Sequence, residues 1–408
     1  MLLQSIPLVF VLTGLVLYTV LGGADFGAGF WQLFFVPGAH ADRIREHAHH
    51  SMGPVWEANH VWLVFVLTVC WTSYPKAFGS IASTLAVALF VAALGIVFRG
   101  AAYALRAGAT SARESGLIDT IFSLSSILTP FALGAAVGGI ATNRVPVGNA
   151  AGHLFSSWLN PTSVFIGVLA AASCAYLAAV YLAADAARGG QQELERDFRA
   201  RALGAGVVAG ALAIGGIFIV NADNPRLFHA LLSGRALPAV IASLLAGLAT
   251  LGLVYGRRYE RARFGAALAV ASIVAGWALA RWPTILPGLT VEHAAAGHDT
   301  LVWVLACVLG GGAILFPSLG LLFRLALSGR FEAPESTPSG HGAQVVRRGR
   351  SGLLARLAIA CLIAGLLLLN IANASWAHAV GLVFICAFIL VAFRAIMYTA
   401  LGEQPTTK

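Results

Sequence analysis

Long apolar runs, each sufficient to cross a lipid bilayer, constrain this chain more than any other feature. Hydrophobic residues make up 59% of its 408 residues and charged residues only 11%, so a water-soluble globule would lack a sufficiently polar surface. The sequence therefore predicts an all-α polytopic membrane protein. Its eleven predicted helices lie near residues 6–34, 54–74, 79–105, 118–142, 162–184, 202–221, 236–256, 262–280, 299–323, 353–373 and 377–400.

Lys and Arg residues are concentrated in alternate loops. The loops after odd-numbered runs hold 17 of them, and the loops after even-numbered runs hold 5. Because basic residues favour cytoplasmic loops, the amino terminus is expected outside and the carboxyl terminus in the cytoplasm. The net charge of +9 is explained by these loops, so we expect no nucleic-acid partner.

A polar insertion divides the chain. Residues 330–352 are rich in Pro, Gly and basic residues, a composition that cannot bury a core. The sequence predicts a nine-helix body at 1–328, a flexible cytoplasmic linker at 329–352, two extra transmembrane helices at 353–400 and a cytoplasmic tail at 401–408. The amino terminus lacks the basic region of a secretory signal, so the first helix is expected to be retained.

Four ionisable residues fall inside the first three apolar runs: Asp25, Glu57, His60 and Arg99. Such groups are costly within a membrane and mark functional sites. Glu57 and His60 are spaced i, i+3, so a proton could pass between them directly or through one water. Arg99 could hold either carboxylate ionised. The pattern indicates a proton pathway or, alternatively, a buried ion-pair network that fixes helix register.

Glu57 and His60 belong to the motif GPVWEANHVWL at residues 53–63. Its first two residues suit the N-cap and the first position of a helix. The tryptophans are interpreted as packing residues or interfacial anchors in preference to a cofactor surface, and the histidine as a hydrogen-bonded helix residue in preference to a ligand. The other motif residues are Gly53, Pro54, Trp56, Asn59 and Trp62.

Small residues surround Asp25. Gly23 and Gly27 form a GxxxG pattern, with Gly22 and Gly29 nearby, and such positions let a neighbouring helix approach the carboxylate closely.

No metal site is expected from the sequence. The five cysteines lie in apolar runs without CxxC spacing, so they are interpreted as packing residues. A histidine cluster beside Asp42 and Glu46 matches no recognised ligand spacing, which favours a solvated loop. The cluster consists of His40, His47, His49 and His50.

Several stretches resemble subunit II of the bd-type quinol oxidases, the terminal respiratory oxidases of prokaryotic plasma membranes. The likeness covers about residues 1–328. The stretches are LGGADFGAGF at 21–30, GPVWEANHVWLVF at 53–65, YPKAF at 74–78, GIVFRGAAYALR at 95–106 and RWPTILPGLT at 281–290.

This resemblance implies a partner, a homologously folded subunit I that carries haem b and haem d. The complex would couple quinol oxidation to reduction of dioxygen to water. By resemblance this chain binds no haem and has no catalytic residue, supports subunit I among the membrane lipids, and accommodates a structural quinone or lipid. It would also line a proton route from the cytoplasm, with Asp25, Glu57 and Arg99 as the matching residues.

The sequence departs from the family in three respects. Glu57 stands where the family generally has Asp, and His60 where an acidic or amide residue is commoner. The helices after residue 352 exceed the usual family length. Two alternatives stay open: a proton-coupled secondary transporter, for which we find no inverted repeat, and a purely structural assembly subunit.

Overall fold

Helices dominate the computed structural model, which describes residues 2–33, 56–106, 111–327, 351–371 and 375–401. Nearly all of the predicted linker and the histidine cluster lie outside these residues. The helices are α1 Leu2–Leu17, a π-helical turn Tyr18–Gly22, α2 Gly23–Leu33, α3 Trp56–Ser73, α4 Pro75–Thr84, α5 Ala86–Arg106, α6 Ala112–Ala141, α7 Pro161–Arg188, α8 Gln192–Asp223, α9 Pro225–Leu232, α10 Leu237–Tyr255, α11 Tyr259–Arg281, α12 Val291–Ala294, α13 His298–Leu327, α14 Ser351–Ile371 and α15 Ser375–Leu401. Two short strands, β1 Thr284–Leu286 and β2 Leu289–Thr290, form an antiparallel hairpin between α11 and α12.

The lengths of these helices suit a membrane. Within the described ranges, eight helical segments are long and apolar enough to cross a bilayer, and Leu2–Leu33 counts as one of them. Shorter apolar stretches are Asn59–Ser73, Arg356–Gly365 and Val380–Ala392. The chain is therefore an all-α, multi-pass membrane protein, as its composition predicts.

Polar caps and prolines fix where several helices begin. Ser111 precedes α6, and its hydroxyl accepts a hydrogen bond from the Glu114 amide while the Glu114 carboxylate accepts one from the Ser111 amide. The side-chain oxygens of Asn160 and Asn224 accept hydrogen bonds from the amides of Ser163 and Leu227 at the starts of α7 and α9, and each asparagine is followed by a proline at the first helical position.

The predicted run at 79–105 is two helices, α4 and α5, which meet at the fully buried Leu85. Serine hydroxyls explain the interruption. Ser80 and Ser83 donate hydrogen bonds to carbonyls one turn earlier in α4, and their oxygens accept hydrogen bonds from the amides of Gly148 and Ala150. Such side chains compete with the backbone ladder and bend helices.

The helix α8 begins well before its apolar part. It is continuous from Gln192 to Asp223, so the charged stretch at 192–201 is a helical extension of the apolar span. Leu194 and Phe198 are buried in the extension and join the core beside α7.

Two helices, α6 and α7, form the centre of the body. In the most apolar window of each, 61% and 56% of residues are buried, against 17% in α8 and in α10. Helix α7 presents an almost unbroken run of small and aliphatic side chains from Ser173 to Val180 to its neighbours. It packs against α2, α6, α8 and α11, so α2, the second half of the first span, lies beside the central pair.

The helices divide into two compact units, Met1–Leu321 and Leu322–Lys408. Within the second unit α14 packs against α15, and a Cβ atom added to Gly365 would lie 2.8 Å from Ile385 Cδ1. The domain boundaries expected at residues 328 and 352 stay predictions.

Candidate functional site

An ion pair between Asp25 and Arg99 lies at the centre of the first unit. Arg99 Nη2 is 2.6 Å from Asp25 Oδ1, and the same nitrogen donates to the Asp25 backbone carbonyl at 2.9 Å. The Arg99 side chain is only 3% exposed and the Asp25 side chain only 2%. Two of the four ionisable residues singled out in the sequence are thus in direct contact.

The second guanidinium nitrogen of Arg99 is bound by helix α6. Nη1 donates a hydrogen bond to the Ser126 hydroxyl, which in turn donates to the Phe122 carbonyl at 2.5 Å. The Arg99 Cζ atom also lies 4.2 Å from the centroid of the Phe122 ring and 5.1 Å from that of Phe26. Hydrogen bonds and two aromatic faces together compensate for the loss of hydration.

Glycines allow the helices to approach closely enough for these contacts. A Cβ atom at Gly29 would overlap the Ser126 hydroxyl and lie 2.8 Å from Arg99 Nη1, and one at Gly27 would overlap the Cys174 carbonyl. Gly29 therefore makes room for Arg99, and Gly27 lets α2 pack against α7. The GxxxG pattern faces α7, whereas Gly29 opens the side of α2 that receives the arginine.

Asn59, in helix α3, approaches the same region. Its side-chain nitrogen donates to the Leu21 carbonyl at 3.3 Å, within the π-helical turn that precedes Asp25. Such turns interrupt the regular ladder of backbone hydrogen bonds and recur at functional sites. The motif asparagine thereby joins α3 to the irregular segment of the first span.

The His60 ring packs among aromatic rings. Its centroid is 6.2 Å from that of Tyr18 and 6.1 Å from that of Phe26, both in edge-to-face geometry. Because Phe26 also contacts Arg99, the imidazole is separated from the ion pair by one ring. Trp62 packs against the same aromatic cluster.

Other motif residues have no described side chain. Glu57 and Trp56 lie in the first turn of α3, but their side chains are outside the described part, as are Gly53 and Pro54 entirely. The structure therefore brings together Asp25, Arg99, Asn59 and His60, while the position of the Glu57 carboxylate stays a prediction.

Two buried oxygen atoms at the site have an unused hydrogen-bonding capacity. Asp25 Oδ2 and the Tyr18 hydroxyl have no hydrogen-bond partner among the side chains and backbone groups that the structure describes. Buried polar atoms are normally satisfied, so these two mark where a further polar group would be accommodated.

Sequence reasoning missed Ser126, Phe122 and Tyr18. The run SLSSILT at 123–129 offered a signal, since hydroxyl residues repeating within an apolar helix hydrogen-bond across helices. All four of them are at most 4% exposed: Ser123, Ser125, Ser126 and Thr129.

A second ion pair connects the end of α5 to the first part of α6. Arg106, the last residue of α5, contacts Asp119, and their side chains are 32% and 18% exposed. Arg99 is two turns deeper on the same face of α5. Side-chain exposure thus decreases along α5 from 32% at Arg106 to 3% at Arg99.

Metal ligands do not gather in the described part of the chain. No three His, Cys, Asp or Glu residues there come close enough to hold an ion. All five cysteines are free, and Cys174 is buried beside Tyr18 and Phe26.

Residues 3–326 match the family model described as cytochrome bd terminal oxidase subunit II. The chain is 26% identical over 114 residues to cytochrome bd ubiquinol oxidase subunit 2 of Bacillus subtilis (strain 168), covering 28% of this chain and 33% of that protein. It is 24% identical over 172 residues to cytochrome bd-I ubiquinol oxidase subunit 2 of Escherichia coli (strain K12), covering 40% and 44%. These matches span less than half the length of either relative.

The fold is similar to a chain in the structure of bd oxidase from Geobacillus thermodenitrificans. The TM-score is 0.63 at 25% sequence identity, over 80% of this chain and 99% of that chain. The likeness thus extends over nearly the whole of the solved chain.

We expect Arg99→Met to destabilise the protein strongly, because it leaves a buried carboxylate without its cation. Breaking one side of such a pair costs about 3–5 kcal/mol. Asp25→Asn combined with Arg99→Met should be less destabilised than Arg99→Met alone. The measurement is the thermal aggregation midpoint of the purified protein, with the exposed Arg113→Met as control. Strictly additive losses would show that the pair is not coupled.

Proposed function

The chain belongs to the family of cytochrome bd terminal oxidase subunit II, and from that membership we propose that it is the haem-free subunit of a bd-type quinol oxidase. The complex would oxidise quinol and reduce dioxygen to water. In this proposal, subunit I carries haem b and haem d and performs the redox chemistry. The observation that carries the proposal is the family match over residues 3–326, which includes the whole buried polar site.

The packing around His60 favours a structural imidazole over a haem ligand at this position. Rings of Tyr18 and Phe26 flank the partly buried imidazole edge-to-face, an arrangement suited to packing between helices. The chain would therefore contribute structure and proton transfer, while the partner supplies the redox centres.

The role in proton transfer rests on the buried polar groups of the first three spans. Asp25 holds a carboxylate oxygen with unused acceptor capacity beside a fixed guanidinium, and His60 lies one ring away. Glu57 is one helical turn from His60 on α3. In the proposed step the Glu57 carboxyl passes its proton to the imidazole or to an intervening water, leaving a carboxylate that is reprotonated from the cytoplasm.

The Asp25–Arg99 pair would then act as an electrostatic element of the route. A positive charge held at a fixed depth attracts the carboxylate beside it and repels excess positive charge. A purely structural brace is the competing interpretation, because Arg99 already makes hydrogen bonds to α2 and α6.

We further infer the orientation from the 17 basic residues in one set of loops against 5 in the other. It places the α7–α8 connection in the cytoplasm and α9 outside. Reporter fusions at Arg196 should therefore behave as cytoplasmic and fusions at Arg226 as external. The reverse pattern would place the proton entrance on the other side of the membrane.

For the complex, we expect spectral bands of haem b and haem d and quinol oxidation only when the partner subunit copurifies. The chain expressed alone should be colourless and inactive. The measurements are the optical spectrum and the haem-to-protein ratio of the complex and of the chain expressed alone. Stoichiometric haem on the single chain would contradict the assignment.

For the proton route, Glu57→Gln should assemble with normal haem content yet lose turnover or voltage generation. The amide keeps the size and much of the hydrogen bonding but cannot titrate. Glu57→Asp should retain most activity, since the resembling family generally has Asp there. Glu292→Gln, at an exposed glutamate beyond α11, is the matched control. Undiminished voltage generation in Glu57→Gln would leave the structural interpretation.

A further inference from the structure

A cleft of about 860 Å³ lies between the end of α7 and the turn that joins α10 to α11. Four arginines line it: Arg188, Arg257, Arg258 and Arg261. We propose that this cleft binds the phosphate headgroup of an anionic phospholipid. The proposal does not depend on the proton-transfer role proposed above.

The arginines of the cleft exceed the acids that neutralise them. Glu260 lies 2.6 Å from Arg188, and Glu195 lies 3.9 Å from Arg257. Arg258 and Arg261 are exposed and form no ion pair with any residue that the structure describes. Two guanidinium groups therefore remain available for an anion, and arginine binds phosphate oxygens in bidentate fashion.

The start of helix α11 adds backbone donors. Its N-cap position is occupied by Arg258, whose side chain forms no capping hydrogen bond. A helix amino terminus presents unsatisfied amides and a partial positive charge, which favour a phosphate. Arg257 holds a φ of 55°, a left-handed conformation that is rare outside glycine. The turn thus places two consecutive arginines at the helix start despite this backbone cost.

The surface below the cleft favours a lipid over a free phosphate. Phe264 and Leu268 follow Arg261 by three and seven positions on α11, so the three residues share a face. Phe264 is 78% exposed and Leu268 is 55% exposed, and α11 is one of the membrane-spanning helices. Arg261 therefore lies at the end of an apolar stripe. In this arrangement the arginine would bind the lipid phosphate while the acyl chains pack against Phe264 and Leu268.

Adjacent anchoring interactions keep the cleft walls in place. The buried Tyr259 donates its hydroxyl hydrogen to Glu195 at 2.8 Å, and Arg199 donates to the Tyr255 carbonyl at 2.6 Å. Arg263 contacts Asp185, which connects α11 to α7. These contacts engage Glu195 and Asp185, so neither acid is directed at Arg258 or Arg261.

The test uses the assembled complex, purified from membranes and analysed for bound phosphatidylglycerol by native mass spectrometry. Arg258→Gln combined with Arg261→Gln should weaken phosphatidylglycerol binding about 30-fold, since each interfacial arginine contributes about 1 kcal/mol, or a factor of about five. Arg196→Gln, an exposed arginine on the α8 extension, should leave binding unchanged. Equal phosphatidylglycerol retention in the double variant and the wild type would overturn the proposal.

Titration of the delipidated wild-type complex identifies the anion source without relying on the variants. Phosphatidylglycerol should bind, phosphatidylcholine should bind at least tenfold more weakly, and inorganic phosphate should not compete at matched phosphate concentration. High salt should reduce phosphatidylglycerol affinity. Competition by inorganic phosphate at matched concentration would assign the cleft to a free anion and overturn the lipid proposal, as would salt-independent binding.

Discussion

The buried ion pair of Asp25 and Arg99 is the constraint on which the centre of this protein depends. An isolated charge at this depth costs several kcal/mol, so neither residue is tolerable without the other. Arg99 contributes from α5, Asp25 from α2, and Ser126 from α6. Three helices must therefore hold a fixed rotation about their axes and a fixed depth, because a shift of one residue would separate the charges.

Such precise placement requires helices that pack more closely than large side chains allow. Gly29 leaves the space that the Ser126 hydroxyl and the Arg99 guanidinium occupy, and Gly27 permits α2 to touch the Cys174 carbonyl of α7. Gly95 does the same between α5 and α6, where a Cβ atom would overlap the Thr129 hydroxyl. In a membrane, where lipid tails are as apolar as leucine, close packing and interhelical hydrogen bonds carry most of the association.

The sequence predicted the class of fold and part of the site for physical reasons. Apolar runs have no alternative to helices in a membrane, so their positions could be read directly. Asp25 and Arg99 were recognisable because charges are rare there. Their contact was not, since it depends on how α2 and α5 rotate. Ser126 and Phe122 were missed because a hydroxyl and an aromatic ring are common in apolar helices, and the interruption at Leu85 depends on hydrogen bonds from a distant loop.

The buried Arg99 and the arginines of the surface cleft differ in how their charge is balanced. Arg99 is 3% exposed and finds a carboxylate, a hydroxyl and two aromatic faces within the protein. Arg258 and Arg261 are exposed at the start of α11, where water solvates their charge. Charge in the interior must be matched by the protein itself, so it fixes how the helices are placed relative to one another. Unmatched charge at the membrane surface is free to recruit an anion from outside.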